Sequence, residues 1–430
     1  MNGPLRIGIA GLGTVGAGVV KLFAEHHKLL GLRGGRPLEL VAVSARNRAK
    51  KRDIDLAGVR WEKDPMALAK AADIDVVAEL IGGSDGIALR LAQTVLRSGK
   101  HLVTANKALL AMHGTELAEL AEQRGLILSF EAAVAGGIPI IKALREGLVG
   151  NRVRRLYGIL NGTCNYILTT MRETGRDFGA VLAEAQAAGY AEADPSFDVD
   201  GIDAAHKLAV LTGAAFGAKV NFPGVYVEGI RRVTSMDIGF AEELGFRIKL
   251  LGLARETRYG IEQRVHPCMV PLAAPIAHIE GVFNAVVVEG DFVGNTMFQG
   301  RGAGQGPTAS AVVADLVDVA RGRNMPAFVI PASKLADKKV SPMDRHQGAY
   351  YIRLMVQDRP GVIAAVSGAL ARERISLESM LQRGRSQSDQ VPVVLTTHET
   401  EEAAMRRALT RIAKLKVVAE EPCVIRIEAF

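Results

Sequence analysis

Along the first 130 residues, apolar runs of strand length at 5–10, 38–43, 75–81, 101–104 and 126–130 alternate with helical stretches such as 88–96 and 117–123, which end at Gly99 and Gly125. Strands joined through helices lie parallel, because the crossover carries the chain back to the same end of the sheet. The pattern predicts an α/β fold whose N-terminal part, 1–135, is a doubly wound parallel sheet of Rossmann type. A second region, 136–306, mixes strands at 153–160 and 282–289 with apolar helices and predicts an α+β domain. A helix expected at 308–321 packs back on the first domain. Residues 322–348 lack clean periodicity and read as a linker. Beyond it, strands at 350–357, 376–381, 391–397 and 424–428 with helices at 362–372 and 401–412 give the βαββαβ order of a ferredoxin-like unit, 349–430.

Between the first strand and the first helix stands Gly11-Leu12-Gly13-Thr14-Val15-Gly16. In that setting the glycines permit a tight turn and close approach of backbone N–H groups to a pyrophosphate, whose charge the helix start at Thr14 and Val15 favours. The loop predicts a dinucleotide site. An NAD site normally closes its second strand with Asp or Glu, whereas this chain has Ser44-Ala45-Arg46, then Arg48, Lys50, Lys51 and Arg52. The planar fork of Arg46 suits a ribose 2′-phosphate, so NADP is the expected cofactor. Arginine also stacks on adenine, and NAD use stays open.

Composition bounds the remaining chemistry. With 48% hydrophobic and 23% charged residues the chain is an ordinary globular protein. No uncharged stretch reaches the ~18 apolar residues of a membrane span. The net charge of +7 admits anionic partners, but 5% aromatics without interleaved basic residues argue against nucleic acid. Cys164, Cys268 and Cys423 are too few and too far apart for a disulfide framework or a zinc pattern. Residues 5–10 run into the glycine loop instead of a cleavage site, so a cytoplasmic protein beginning near Met1 is expected.

Residues 201–211 read as a helix that sets Asp203, His206 and Lys207 on one face. Such a stripe is either an ordinary exposed ion pair or the wall of a cleft. The other residues of this helix are almost all apolar or small, and a half-buried lysine can be tuned as a proton carrier. Upstream, the acidic loop with Glu192, Asp194 and Asp198 either holds a substrate ammonium or is a solvated turn. Lys107 follows Thr104-Ala105-Asn106 at the C-terminal end of a parallel strand, where open α/β sheets bind ligands, and is expected in the cleft. Two lysines and several carboxylates around a nicotinamide suggest oxidoreduction of a small zwitterionic carbonyl or alcohol.

Taken together, the glycine loop, Val103-Thr104-Ala105-Asn106-Lys107, Glu131-Ala132-Ala133-Val134-Ala135-Gly136-Gly137-Ile138-Pro139-Ile140, Asn161-Gly162-Thr163-Cys164-Asn165-Tyr166-Ile167 and the stretch from Gly189 to Lys207 resemble the homoserine dehydrogenase family over nearly the whole chain. The resemblance implies reversible NAD(P)-dependent interconversion of L-aspartate 4-semialdehyde and L-homoserine, at the branch toward threonine and methionine. It implies that Lys207 transfers the proton beside Asp203, that Glu192 holds the substrate amine, and that Lys107 is a second active-site lysine. It further implies a structural sodium ion bound largely by main-chain oxygens at Glu131, Val134, Gly136 and Ile138, and closure of the backbone around Gly304 over the nicotinamide. The turn Asp358-Arg359-Pro360-Gly361-Val362 resembles that of an ACT domain, implying L-threonine as a feedback effector. The family resemblance also implies that 136–306 is the catalytic and dimerisation domain, in a homodimer or homotetramer. Two other readings stay open: a semialdehyde dehydrogenase working through a Cys164 thioester, and a catalytically silent sensor that binds NADP and an amino acid.

Overall fold

The computed structural model describes residues 3–383 and 390–430. Six strands, β1 (Leu5–Ala10), β2 (Leu38–Ser44), β3 (Arg60–Glu62), β4 (Val76–Glu79), β5 (His101–Thr104) and β6 (Leu128–Ser129), form a parallel sheet in the order β3-β2-β1-β4-β5-β6. Helices cover both faces, so Ile7, Ile9, Val76 and Val77 are fully buried and the strand interiors are largely apolar. The strand order reverses between β1 and β4, which opens a crevice beyond the C-terminal strand ends. The sequence pattern marks five of these strands; β3 is too short to stand out.

The helix Gln305–Ala320 lies against the helix Thr14–Gly34 so closely that a Cβ on Gly18 would sit 2.7 Å from the Gln305 side chain. The expected return of the chain to the first sheet thus begins three residues earlier than 308.

The second sheet contains β7 (Val153–Ile159), β8 (Tyr226–Val227), β9 (Phe246–Thr257), β10 (Gly260–Pro271), β11 (Phe283–Gly290), β12 (Gly294–Arg301), β13 (Gln347–Gln357), β14 (Leu377–Gln382), β15 (Gln390–Thr397), β16 (Thr400–Glu401) and β17 (Cys423–Ile427). Its main path runs β12-β11-β7-β9-β10-β17-β13-β15-β14. The last four positions are the βαββαβ unit, with the helices Val362–Arg372 and Glu402–Ile412.

Two features differ from the sequence reading. The C-terminal unit is not separated from the middle one: β17 pairs in parallel with β10 through Cys268/Arg426 and Met269/Ile427, making a continuous sheet. The segment read as a linker is strapped down. Ala336 exchanges backbone hydrogen bonds with Gly217 and Lys219, Lys339 and Ser341 pair with Ile261, and Phe328 is buried 5.1 Å from the Phe130 ring. Single bridges of this kind impose no periodicity on the sequence.

Buried charge joins the two units at this seam. Arg264 on β10, 2% exposed, pairs with Glu428 just beyond β17 and with Glu262 at 2.5 Å. Glu262 also meets Arg255 and His346, while Arg426 on β17 meets Glu402 at 2.6 Å and Glu228 at 2.9 Å.

Candidate active site

The first glycine loop is shaped as a cradle. Gly11 has φ 104°, and a Cβ there would stand 2.4 Å from the Leu80 carbonyl oxygen; at Gly16 it would stand 2.0 Å from the Gly11 oxygen. Both close approaches exclude any other residue. Gly13, in contrast, faces open space and precedes the helix starting at Thr14, whose first N–H groups have no intrahelical partner. Gly11 and Gly13 border a cavity of about 580 Å³ that also reaches Ser44, Arg46, Lys50 and Lys63.

Among the described residues no carboxylate lines that cavity. Arg52 is committed elsewhere, donating to the carbonyls of Leu12, Asn47 and Lys50. Arg46, Lys50 and Lys63 have no ion-pair partner among the described residues, so three cations face one space. Lys63, one residue past β3, carries no motif and escaped the sequence reading.

A second cavity, about 530 Å³, holds the residues expected to do chemistry: Lys107, Glu192, Asp194, Asp203, Lys207 and Gly304 all line it. Lys107 is presented by local capping. Asn106 accepts from the Leu109 N–H at 3.1 Å and starts the helix Lys107–Gln123 just after β5, while its amide donates to the Gly83 carbonyl. Asp203 and Lys207 lie one turn apart on the buried helix Ile202–Phe216, which Gly201 initiates at φ 86°.

Asp203 bridges the two lysines, with Lys107 Nζ 2.7 Å from Oδ1 and Lys207 Nζ 2.7 Å from Oδ2. Burial alone would raise its carboxyl, but the two ammonium charges outweigh burial and hold it well below the usual carboxylate range. Burial, reinforced by the Lys107 charge, pushes Lys207 down against the pull of Asp203. Lys107 is also desolvated, yet Asp203, Asp198 and Glu192 prevail and keep it above the ordinary lysine value. One of Lys207's three N–H donors goes to Asp203 and one to the Leu160 carbonyl at 2.7 Å; the third is left for the cavity.

The two acidic-loop residues behave differently. Asp194 accepts from the Ser196 N–H at 3.1 Å and so builds the turn, whereas Glu192 is exposed and makes no side-chain hydrogen bond among the described residues. His206 shares the helix face but turns aside, packed between the tilted rings of Phe197 and Phe222 at 5.5 and 4.3 Å. Sequence reasoning passed over the individual weight of Asn161 and Asp198. Asn161, 3% exposed, donates to Asp198 at 2.7 Å and Asp203 at 2.8 Å. Its place at the head of a helix was the available signal.

Between β6 and the second sheet, Glu131 starts a loop in which Ala135 and Gly136 have φ 55° and 41°. A Cβ on Gly136 would lie 2.5 Å from the Gly302 carbonyl, so this loop abuts the one that lines the second cavity. The Glu131 carboxylate accepts the N–H groups of Ile141 and Lys142, although burial and Asp315 raise its pKa to about 7. Among the described residues the carbonyls of Val134 and Gly136 accept no backbone hydrogen bond. Cys164 is buried, its thiol pushed well up by burial and the nearby aspartates, and donates to the Asp198 carbonyl; nothing there activates it as a nucleophile.

Family models for homoserine dehydrogenase match residues 139–317, for its NAD-binding domain residues 11–131, and for the ACT domain residues 350–417. The chain belongs to the homoserine dehydrogenase family. Homoserine dehydrogenases of Pseudomonas aeruginosa and Neisseria gonorrhoeae are 46% and 44% identical to it over 432 and 433 residues, 99% of each chain. The crystal structure of a homoserine dehydrogenase from Thiobacillus denitrificans superposes with a TM-score of 0.94 at 45% identity, over 100% of this chain and 99% of that one. Membership makes the protein an NAD(P)-dependent oxidoreductase of amino-acid biosynthesis with homoserine dehydrogenase activity. Among the described residues no helix is long and apolar enough to cross a membrane.

Proposed function

We propose that Lys207 is the proton carrier of this homoserine dehydrogenase, a reading carried by the single Asp203 carboxylate that bridges Lys207 and Lys107 inside the second cavity. Bound nicotinamide supplies the hydride. The third N–H of Lys207 gives its proton to the aldehyde oxygen as charge develops there, and in the oxidative direction the neutral amine takes it back. Lys107 adds a second positive charge near the same oxygen. Glu192, with its carboxylate free in the cavity, receives the substrate ammonium, and Asp194 shapes the loop that presents it. Gly304, at φ 113° ahead of the helix Gln305–Ala320, lets the backbone close over the reacting end of the cofactor. Measuring NADPH oxidation by L-aspartate 4-semialdehyde in the Lys207→Ala and Glu192→Gln variants tests these roles. The first loses turnover and the second raises the substrate KM.

NADP is the preferred cofactor in this reading, because Arg46, Lys50 and Lys63 meet at the first cavity without a carboxylate. Removing one charge-assisted contact to a phosphate costs about 1.5–3 kcal/mol. Arg46→Ala is therefore expected to weaken NADPH binding by tenfold or more and NADH binding by less than twofold, measured by titration of cofactor fluorescence. Equal losses for both cofactors contradict the preference.

The carbonyls of Val134 and Gly136 accept no backbone hydrogen bond among the described residues, and we assign a structural sodium ion to the main-chain oxygens of Glu131, Val134, Gly136 and Ile138. β12 is an edge strand of the second sheet whose hairpin exposes Phe292 at 90% and Met297 at 38%, which supports a homodimer, or a homotetramer built from it, joined there. Three free cysteines fit the reducing cytoplasm. L-threonine is the effector we assign to the C-terminal unit, where Gly361 at φ 89° opens the turn before the helix Val362–Arg372. Saturating threonine is expected to lower turnover and raise the midpoint of thermal unfolding, because a ligand favouring one state shifts both. Unchanged kinetics and midpoint would remove it.

A further inference from the structure

The junction between β7 and the helix Gly162–Thr174 grips the reacting pair with two consecutive residues. The Leu160 carbonyl accepts one N–H of Lys207, and the Asn161 side chain holds the carboxylate that accepts another. From these contacts we infer that Asn161 is a positioning residue for proton transfer, fixing Asp203 against Lys207 and tying it to Asp198. The inference rests on the proposed role of Lys207 and adds the group that sets its geometry.

Three of the four hydrogen-bonding positions of the Asn161 amide are used. Oδ1 accepts the Cys164 N–H at 2.8 Å, and the two hydrogens on Nδ2 go to Asp198 Oδ1 and Asp203 Oδ2. These partners fix the amide orientation, since a backbone N–H needs an acceptor and two carboxylates need a donor. Asp198 and Asp203 belong to different helices, Ser196–Val199 and Ile202–Phe216, and among the described residues Asn161 is the side chain hydrogen-bonded to both. Both carboxylates are withdrawn from water and repel one another, which favours protonating one of them. The amide opposes this by donating to each ionised form. With Asp198 and Asp203 both charged, the two lysines are balanced. Asp203 Oδ2 then has two fixed donors, and its lone pairs cannot swing away from Lys207.

Helix capping is a competing, purely structural use of the same side chain, and two substitutions separate it from positioning. Asn161→Asp and Asn161→Ser both keep an oxygen able to cap the Cys164 N–H, so both are expected to keep the helix start and NADPH affinity; losing the amide between two carboxylates lowers the thermal midpoint, and kcat is therefore read per folded molecule. Neither can donate to two carboxylates. Asn161→Asp also adds negative charge beside Asp203 and strengthens the hold of Lys207 on its proton. In homoserine oxidation, which needs the neutral amine, the rising limb of the kcat profile is expected to move about one unit toward higher pH. At neutral pH kcat is expected to fall about tenfold or more. Asn161→Ser is expected to lower kcat by a similar factor without the alkaline displacement. The inference is overturned by variants whose kcat stays within about twofold of wild type. An activity loss that merely follows loss of folded protein, with the pH profile unmoved, overturns it equally. A Lys207→Ala enzyme with full turnover would instead remove the proton-carrier reading itself, whatever the Asn161 variants do.

Discussion

Lys207→Ala is expected to lower kcat in both directions by about a thousandfold while leaving NADPH affinity within about twofold, because a positioned general acid or base contributes roughly 10² to 10⁴. Cofactor affinity holds since Lys207 lines the second cavity and not the one beside Gly11 and Arg46. Substrate binding falls only modestly, because Glu192 and Lys107 remain. The wild-type pH dependence follows from the direction of the Lys207 shift. Burial holds the ammonium below the ordinary lysine value of about 10.4, so the neutral amine becomes available at lower pH than for a free lysine. Homoserine oxidation should therefore rise with pH through that depressed value, and semialdehyde reduction should fall through it. Asp203→Asn removes the opposing negative charge and should carry both limbs toward lower pH. Steady-state profiles in the two directions check each sign.

Glu428→Gln is expected to cost about 3 kcal/mol of stability, read as a lower denaturant midpoint of the first unfolding transition. Glu428 and Arg264 are 6% and 2% exposed, and removing one partner of a buried pair strands the other charge. Glu262 keeps a hold on Arg264 at 2.5 Å, which places the cost at the lower end of the range for such losses. Direction in pH also follows. Burial opposes ionisation of Glu428, but Arg264 prevails and depresses its pKa. The unfolded chain takes up this proton near pH 4.3 and the folded one only below it, so the contribution is complete above the unfolded value and is lost as pH falls through the folded one. The variant should lack that part of the acid sensitivity. Because the pair joins β10 to the end of β17, the substitution should also loosen the C-terminal unit from the middle one, measurable as faster amide exchange along β17.

Local rules made the first domain legible. The buried parallel strands are predominantly apolar runs, and Gly11, Gly13 and Gly16 stand where a tight turn and a close ligand approach require them. The stripe of Asp203 and Lys207 was readable from helical spacing, and Lys107 from its place after a strand end. What failed to show was long-range. The hairpin of β9 and β10 is twelve residues a side, yet β10 contains Pro267 and Pro271 and buries Glu262, Gln263, Arg264 and His266. Proline and charge normally argue against an interior strand; here Arg255 on β9 and Glu428 beyond β17 offset the charges of Glu262 and Arg264. The continuity of β10 with β17 depends on the same partners. Asn161 likewise looks like a simple helix cap until Asp198 and Asp203 arrive from 37 and 42 residues away. His206 shows the opposite error, because shared spacing placed it with the charged stripe while aromatic packing turned it away.

The contest between the two lysines has a direct test in chemical rescue. Small primary amines of graded pKa added to Lys207→Ala should restore semialdehyde reduction saturably, with a rate that tracks amine acidity, while Lys107→Ala should gain nothing that depends on amine pKa. Rescue of Lys107→Ala with that dependence, and none of Lys207→Ala, would contradict the assignment.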